Sequence, residues 1–475
     1  MDLHAENARL MTRRRLLNAA GMGLGATALG ALLPQNAAAR AATGTARAKR
    51  VIFLFMAGAP SQVDLLDPKP GLMDRIGEPL PPSVTMGQRV TAMTRGREQK
   101  VVPSMFDFER AKCGVEWSTL LPHLSRVSDR ICVLRSLRTN AINHDPGKTF
   151  MCTGSEIPGK ASMGSWLSYG LGSMNRDLPD FVVLTSAFWT GGTRNVQGLY
   201  SRLWGSGYLP TKHQGVAFQT AGDPVLFLSN PGGVDRAIRR RMLDAMGEVN
   251  RAHQERAGDP EIATSIAQGE MAFRMQASVP ELTDLSREPK SILDLYGPEV
   301  NKPGSFARNC LLARRMVERD VRFVQLFHRG WDHHSILPKQ LPGQCYDVDQ
   351  PAAALLLDLE SRGLLDDTIV VFAGEFGRTI YGQGRLARDD YGRDHHPRCF
   401  SAWLAGGGIR GGISHGRTDD FSYNVAEDPV EVRDLHATLL HLLGIDHERL
   451  TFPFQGLDQR LTGVEEARVV KGMLS

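Results

Sequence analysis

The chain has no Cys-x-x-Cys pair, and its six cysteines (Cys113, Cys132, Cys152, Cys310, Cys345 and Cys399) are scattered. That excludes a paired-thiolate zinc site. A chain this long needs no disulfide staples. Export would permit some thiols to oxidise, buried free thiols are the equal alternative, and spacing assigns no pairing. Strong charge of one sign is also lacking. The formal net charge is +4 over 475 residues. Five arginines against two acids in residues 1–42 supply most of it, which leaves no case for nucleic-acid binding. There is no internal repeat and, beyond the N-terminus, no apolar stretch long enough to span a bilayer. What remains, 42% hydrophobic and 23% charged, is the composition of a soluble globular protein of one large α/β domain or two to three ordinary ones.

The N-terminus reads as an export segment. "TRRRLLN" (12–18) precedes the weakly apolar "AAGMGLGATALGALL", and "QNAAARAA" offers cleavage after Ala39 or Ala41. Charged, apolar and small-residue regions in that order make a signal peptide over residues 1–41, and the paired arginines resemble a twin-arginine signal. This predicts a periplasmic or secreted protein, handed to the twin-arginine machinery already folded, with no stable membrane span after cleavage.

Beyond it, "RVIFLFMAGAP" (50–60) is a continuous apolar run closed by Gly and Pro, the pattern of a buried parallel strand. "DRICVLRSL", "DFVVLTS", "VRFVQLF", "TIVVFAGE" and "FSAWLAGGG" repeat it, and helical periods at 305–320, 349–365 and 428–445 alternate with the later ones. The alternation predicts a doubly wound α/β sheet, with a charged helical insertion at about 230–300 capping one end. Ligands of such sheets gather at the carboxyl ends of strands, and polar residues cluster there: "SQVD", "NHD", "HRGWDHH" and "EFGR".

Nine of the fourteen histidines fall between residues 328 and 447. Asp332 accompanies one tight pair in "WDHH" and Asp394 another in "RDHH". Imidazole with carboxylate is the donor set for zinc, manganese or iron, and carboxylates also suit calcium. Asp332 and His334 lie two apart after a strand, so both can face one ion. Adjacent histidines do so poorly, which selects His334 over His333 and one of His395 and His396. His436, in "DLHATLL", is expected on a helix surface, and Lys212 and His213 are expected to help shape a pocket. Two motifs are decoys. "GISHG" around Ser414 lacks the strand–helix context of a nucleophile elbow, and "PGKT" (146–149) lacks the first glycine of a P-loop.

Together these segments resemble the exported, sulfatase-like proteins of unknown function within the alkaline phosphatase superfamily, over about residues 48–465. The resemblance rests on "FLFMAGAPSQVDLLDPKP", "NHDPGKTFMCTG", "ARRMVERDVRFVQLFHRGWDHHS", "VVFAGEFGRT", "GRDHHPRCFSAWLAGGGIRGG" and "DLHATLLHLLGIDHERLTFPFQGLDQRLT". It implies a three-layer α/β/α sandwich on a mostly parallel sheet, with one or two divalent ions (Zn, Mn or Ca) at the strand ends. By position it makes Asp64 (or Asp67), Asp332, His334, Glu375 and His395 metal ligands, and Lys148 and Arg378 the cations that hold an anionic ester. Two departures stand out. His144 occupies the place of the covalent Cys or Ser nucleophile, and Phe376 replaces a metal-binding His. Either a metal-bound hydroxide attacks, or His144 does, or catalysis has been lost. The expectation is an exported metal-dependent hydrolase of phosphate or sulfate esters acting on a small-molecule or glycan ester. The alternative is a non-catalytic glycan- or anion-binding protein on the same scaffold.

Overall fold

Every residue of β1 (Arg50–Ala57) is buried. Ile52, Leu54 and Met56 enter one core cluster, while Val51, Phe53, Phe55 and Ala57 enter a second. This period-two split belongs to a strand covered on both faces, and it explains the unbroken apolar run. The computed structural model describes residues 41–475, apart from 45, 113, 188–195, 220–223, 226–227 and 258–259. The proposed signal peptide thus lies outside the described residues, except for Ala41.

The central sheet joins β1 to β2 (Ile131–Arg138), β3 (Phe181–Thr185), β4 (Val216–Phe218), β5 (Phe323–Arg329), β6 (Thr368–Ala373), β9 (Phe400–Ala405) and β10 (Ile413–His415). Their spatial order is β10-β2-β9-β6-β1-β5-β3-β4, and a two-residue strand at Val430–Glu431 also pairs with β2. Only β9 runs antiparallel to its neighbours. An apolar run carries no sign of its direction, so this reversal was not readable from "FSAWLA". Between β6 and β9 the chain makes a separate hairpin, β7 (Gly377–Ala387) with β8 (Asp390–His396).

Helices cover both faces. α1 (His144–Thr153), α2 (Met163–Leu171) and α7 (Val432–Leu442) contribute to one cluster. α5 (Phe306–Glu318) and α6 (Leu337–Ser361) contribute to the other. The result is the three-layer α/β/α arrangement. Residues 236–283 hold the helices α3 (Arg236–Ala257) and α4 (Pro260–Thr283), and Met275, Val279 and Leu282 of α4 reach the α5–α6 side of the core. Among the described residues no helix is long and apolar enough to cross a membrane. Cys132, Cys152, Cys310, Cys345 and Cys399 are free and buried.

Helix termini follow their sequence signals. Ser305 caps α5 by accepting from Arg308 N at 3.0 Å, and Glu431 with Asp434 forms a capping box on α7. One expectation fails. His436 is not on a helix surface but buried between α7 and α1, its Nε2 bonded to Met151 O at 2.9 Å. Helix α7 is packed nearly all round, so its polar positions do not mark an outer face.

Burial pushes the His436 imidazole down to about 4, against an ordinary value of 6.5. The unfolded chain therefore binds the extra proton between those two values. The stability that His436 contributes is complete above 6.5 and drains as pH falls towards 4. Between about pH 7 and about pH 5, urea unfolding should show a stability loss about 2 kcal/mol smaller in His436→Gln than in the parent. Equal losses would exclude this histidine as the titrating group.

Candidate metal centre

Four loops at the carboxyl ends of strands meet beside α1, where ligands of such sheets collect. The turn after β1 brings Gly58 and Ala59, and the loop after β5 brings Asp332 and His334. The turn after β6 brings Glu375, and the segment after β2 leads into α1, whose first residue is His144. The hairpin supplies Arg378 and His395, which stand opposite each other in register. A register irregularity between Arg393 and His395 is the kind of bulge that re-aims a side chain.

Two glycines make the approach feasible. Gly58 has φ +116°, and a Cβ there would sit 2.7 Å from Asp332 N. A Cβ on Gly392 would lie 1.9 Å from His334 C. Neither position tolerates a side chain without displacing the Asp332–His334 loop.

The centre of the group is Asp332 Oδ1. His334 Nε2 lies 2.9 Å from it, His144 Nε2 3.1 Å and His395 Nε2 3.4 Å. His334 Nε2 and His395 Nε2 are themselves 3.1 Å apart. One donor atom from each of the four residues falls within 4.8 Å of all the others. The far side of each ring explains why. His144 Nδ1 meets Glu375 Oε1 at 2.6 Å, His334 Nδ1 meets Gln383 Oε1 at 2.6 Å, and His395 Nδ1 meets Ile142 O at 2.8 Å. Each of these partners accepts, so each Nδ1 carries the ring proton and each neutral Nε2 presents a lone pair. In the neutral rings, three lone pairs and a carboxylate oxygen face one point. That cradle fits a cation, and the outward bonds are those that orient imidazole ligands.

Charge follows the same logic. Burial alone would raise the Asp332 carboxyl, but Arg378 and the imidazoles outweigh it and hold it far below the usual range. Burial pulls His144 down, yet Asp332 and Glu375 outweigh that and raise it. Burial takes His395 down to about 4, with Asp332 opposing the shift and Arg378 adding to it. The carboxylates of Asp332 and Glu375 thus draw positive charge to His144.

Not every residue expected at the site belongs to the group. Asp64 is fully buried but is brought to Arg393, whose Nε lies 2.6 Å from Oδ2, and it also accepts from Ser61 Oγ at 2.5 Å. Asp67 is bound by Lys69, Thr418 and Ser422. Glu375 stands behind His144 and accepts from Gly58 N at 3.0 Å. Arg378 is spent on Ala59 O, Arg393 O, Gly58 O and Asp332 Oδ1. Lys148, its pKa lowered by burial, donates to Gly198 O at 2.5 Å. Phe376 packs against the rings of His144 and His395, with centroids 5.0 and 4.8 Å away. His333 and His396 lie outside the group, with His396 Nε2 bonded to Tyr423 O at 2.7 Å. Ser414 Oγ accepts from Arg135 Nε at 2.9 Å on a short strand. His213 is occupied by Ser168 at 2.7 Å. Sequence reasoning missed Gln383 and Gln197, the second of which donates to Asp332 Oδ2 at 2.8 Å. Single glutamines, Gln383 on β7 and Gln197 in a loop, carry no sequence signal.

The profile of the family described as "Protein of unknown function (DUF1501)" matches residues 48–474. The chain belongs to the DUF1501 family. No curated protein matches the sequence. Solved structures to which this DUF1501 chain is similar include a protein in the alkaline phosphatase superfamily from Vibrio parahaemolyticus, with 11% identity, 86% of this chain and 70% of that chain covered, and a TM-score of 0.37. Another is a phosphonate monoester hydrolase from Silicibacter pomeroyi, with 11% identity, coverage of 90% and 76%, and a TM-score of 0.35. A sulfatase from Pseudoalteromonas sp. has 12% identity, coverage of 86% and 70%, and a TM-score of 0.35.

The Asp64–Arg393 pair is buried on both sides, so losing one partner strands a charge. Asp64→Asn should lower unfolding free energy by roughly 3–5 kcal/mol while the folded fraction still takes up zinc like the parent. A folded variant without zinc uptake would make Asp64 a ligand instead.

Proposed function

We propose that this DUF1501 chain is an exported, metal-dependent hydrolase of phosphate or sulfate esters, with His144, Asp332, His334 and His395 as its metal ligands. The observation that carries the reading is the convergence of three Nε2 atoms on Asp332 Oδ1, each ring fixed from behind. A nitrogen-rich set of this kind suits zinc, manganese or iron better than calcium, which takes oxygen ligands. A divalent ion held there supplies Lewis-acid polarisation and a nucleophile at neutral pH. Glu375 holds the Nδ1 proton of His144 and fixes the ring. Arg378 keeps Asp332 ionised and aimed. Lys148, one helical turn beyond His144, is the cation placed to meet an anionic ester once its bond to Gly198 O is exchanged. The signal pattern of residues 1–41 supports delivery through the twin-arginine machinery, which suits a protein loaded with metal before export.

The second reading is a non-catalytic anion- or glycan-binding protein. Two observations favour it: the Arg378 guanidinium is already committed to protein acceptors, and Phe376 fills a position beside the group with an apolar ring.

Elemental analysis of protein purified without affinity-metal steps should find about one equivalent of a transition metal, and Asp332→Ala should lose it. The loaded protein should cleave aryl phosphate or sulfate esters, with activity abolished by chelation and restored by the metal. Metal without turnover across phosphate, sulfate and glycan esters would favour the binding protein. Metal-free protein that stays so after adding back zinc or manganese would overturn both the ligand set and the hydrolase.

A further inference from the structure

Asp394 accompanies the histidines of "RDHH" but stands outside the four-residue group. It is fully buried, and it binds hydroxyls and a backbone amide. Oδ1 accepts from His395 N at 2.8 Å. Oδ2 accepts from Thr91 Oγ1 and Thr94 Oγ1. A threonine hydroxyl has one proton. With that proton given to the carboxylate, Thr94 Oγ1 can only accept from a further partner. That partner is the Gln383 side chain on β7, whose Nε2 lies 3.4 Å away. The amide is thereby turned with its Oε1 towards His334 Nδ1, at 2.6 Å. The turn matters because the two ends of an amide have nearly the same shape, so packing alone does not choose between them. Reversed, the NH₂ would donate to Nδ1, and the neutral ring would carry its proton on Nε2. That proton would point at Asp332 Oδ1 and His395 Nε2, 2.9 and 3.1 Å away. The reversed arrangement would seal the cluster with a hydrogen bond and shut out a cation.

We infer that Thr94, anchored by Asp394, is a positioning residue that locks the Gln383 amide with its oxygen towards His334 and so fixes the tautomer that leaves a lone pair for a cation. The inference rests on the metal-centre reading above and deepens it. The acid of the second Asp-His-His run acts on the centre through a hydroxyl, an amide and a ring, not as a ligand. Thr94 touches neither the ion's ligands nor the ion, so its effect must pass through Gln383. A carboxylate in place of that amide can only accept when ionised. It would hold the same tautomer with no lock.

The test titrates zinc into the full mature chain against a chromophoric chelator, with folding checked by circular dichroism. Thr94→Val, which keeps the shape and removes the hydroxyl, should weaken zinc binding by about tenfold or more. Thr94→Ser, which keeps the hydroxyl, should bind like the parent. Gln383→Glu should bind at least as tightly as the parent, because a carboxylate behind an imidazole raises its basicity. The deciding comparison is the double variant: the loss caused by Thr94→Val should disappear when the chain already carries Gln383→Glu. A merely structural role of Thr94 would leave that loss in place. If Thr94→Val folds poorly, Thr94→Ala removes the same hydroxyl and replaces it in both comparisons. A folded variant without the hydroxyl that binds zinc like the parent, or an equal loss with and without Gln383→Glu, would overturn the inference while leaving the metal centre standing. A parent that takes up no zinc at all would overturn the metal centre itself.

Discussion

A single buried carboxylate oxygen, Asp332 Oδ1, is the point on which the strand-end architecture closes. A charge taken out of water needs partners, or its burial is prohibitive. Arg378 supplies the counter-charge, and the same guanidinium also binds the carbonyls of Gly58, Ala59 and Arg393. One ion pair therefore stitches together the turn after β1, the loop after β5 and the hairpin between β6 and β9. The imidazoles are placed by that stitching: His334 sits two residues from Asp332, and His395 lies across the hairpin from Arg378.

The second buried pair, Asp64 with Arg393, does related work from the opposite strand of the hairpin. Arg393 also donates to the carbonyls of Val102 and Thr379 at 2.7 and 3.0 Å. Pairs of this kind add little net stability against an apolar alternative, but breaking one is costly. What they secure is geometry. The hairpin does not pair with the central sheet, so its position over the strand ends rests on other contacts, among them the reciprocal bonds between the Gln62 amide and the Arg378 backbone. Two guanidiniums, one from each of its strands, reach carboxylates that follow β1 and β5 and hold it there. An acid placed by sequence position among the metal ligands thus belongs to the scaffold that aims a histidine.

This explains what could and could not be read from the chain. Strand existence was legible because a doubly covered strand must be apolar throughout, and the "RVIFLFMA" run divides between the two core clusters accordingly. The site's location was legible because acids and histidines follow those runs directly. Partner choice was not. Asp64, Asp332, Glu375, Arg378 and Arg393 are three carboxylates and two guanidiniums that sequence alone can pair in several ways. Only the fold assigns Arg378 to Asp332 and Arg393 to Asp64, and leaves Glu375 behind His144. The glutamines that orient Asp332 and His334 had no signal, since an amide is informative only through what it touches. His436 was misread for a related reason: a polar residue on a helix marks an outer face only when the helix has one.

The histidines crowded into "HRGWDHHS" illustrate how tautomer decides which rings can offer a lone pair to the cluster. His328 accepts from Trp331 Nε1 at 3.0 Å through Nδ1, so its Nε2 carries the proton and points it at Asp347, 3.2 Å away. That ring is a donor at its inner nitrogen and has nothing to offer a cation. His334 is wired the other way: Gln383 takes the Nδ1 proton, and a lone pair faces Asp332 and His395. His333 is buried, its Nε2 makes no hydrogen bond, and burial pushes its imidazole down to about 3, which keeps the ring neutral inside the loop it shares with His334. Residue type placed all three near the strand end. What separates them is the atom bonded to the far side of each ring, and that is set by Trp331 in one case and by the hairpin's Gln383 in another. Whether a ring of this stretch can face a cation is therefore set as much by β7 as by the loop that carries the histidines.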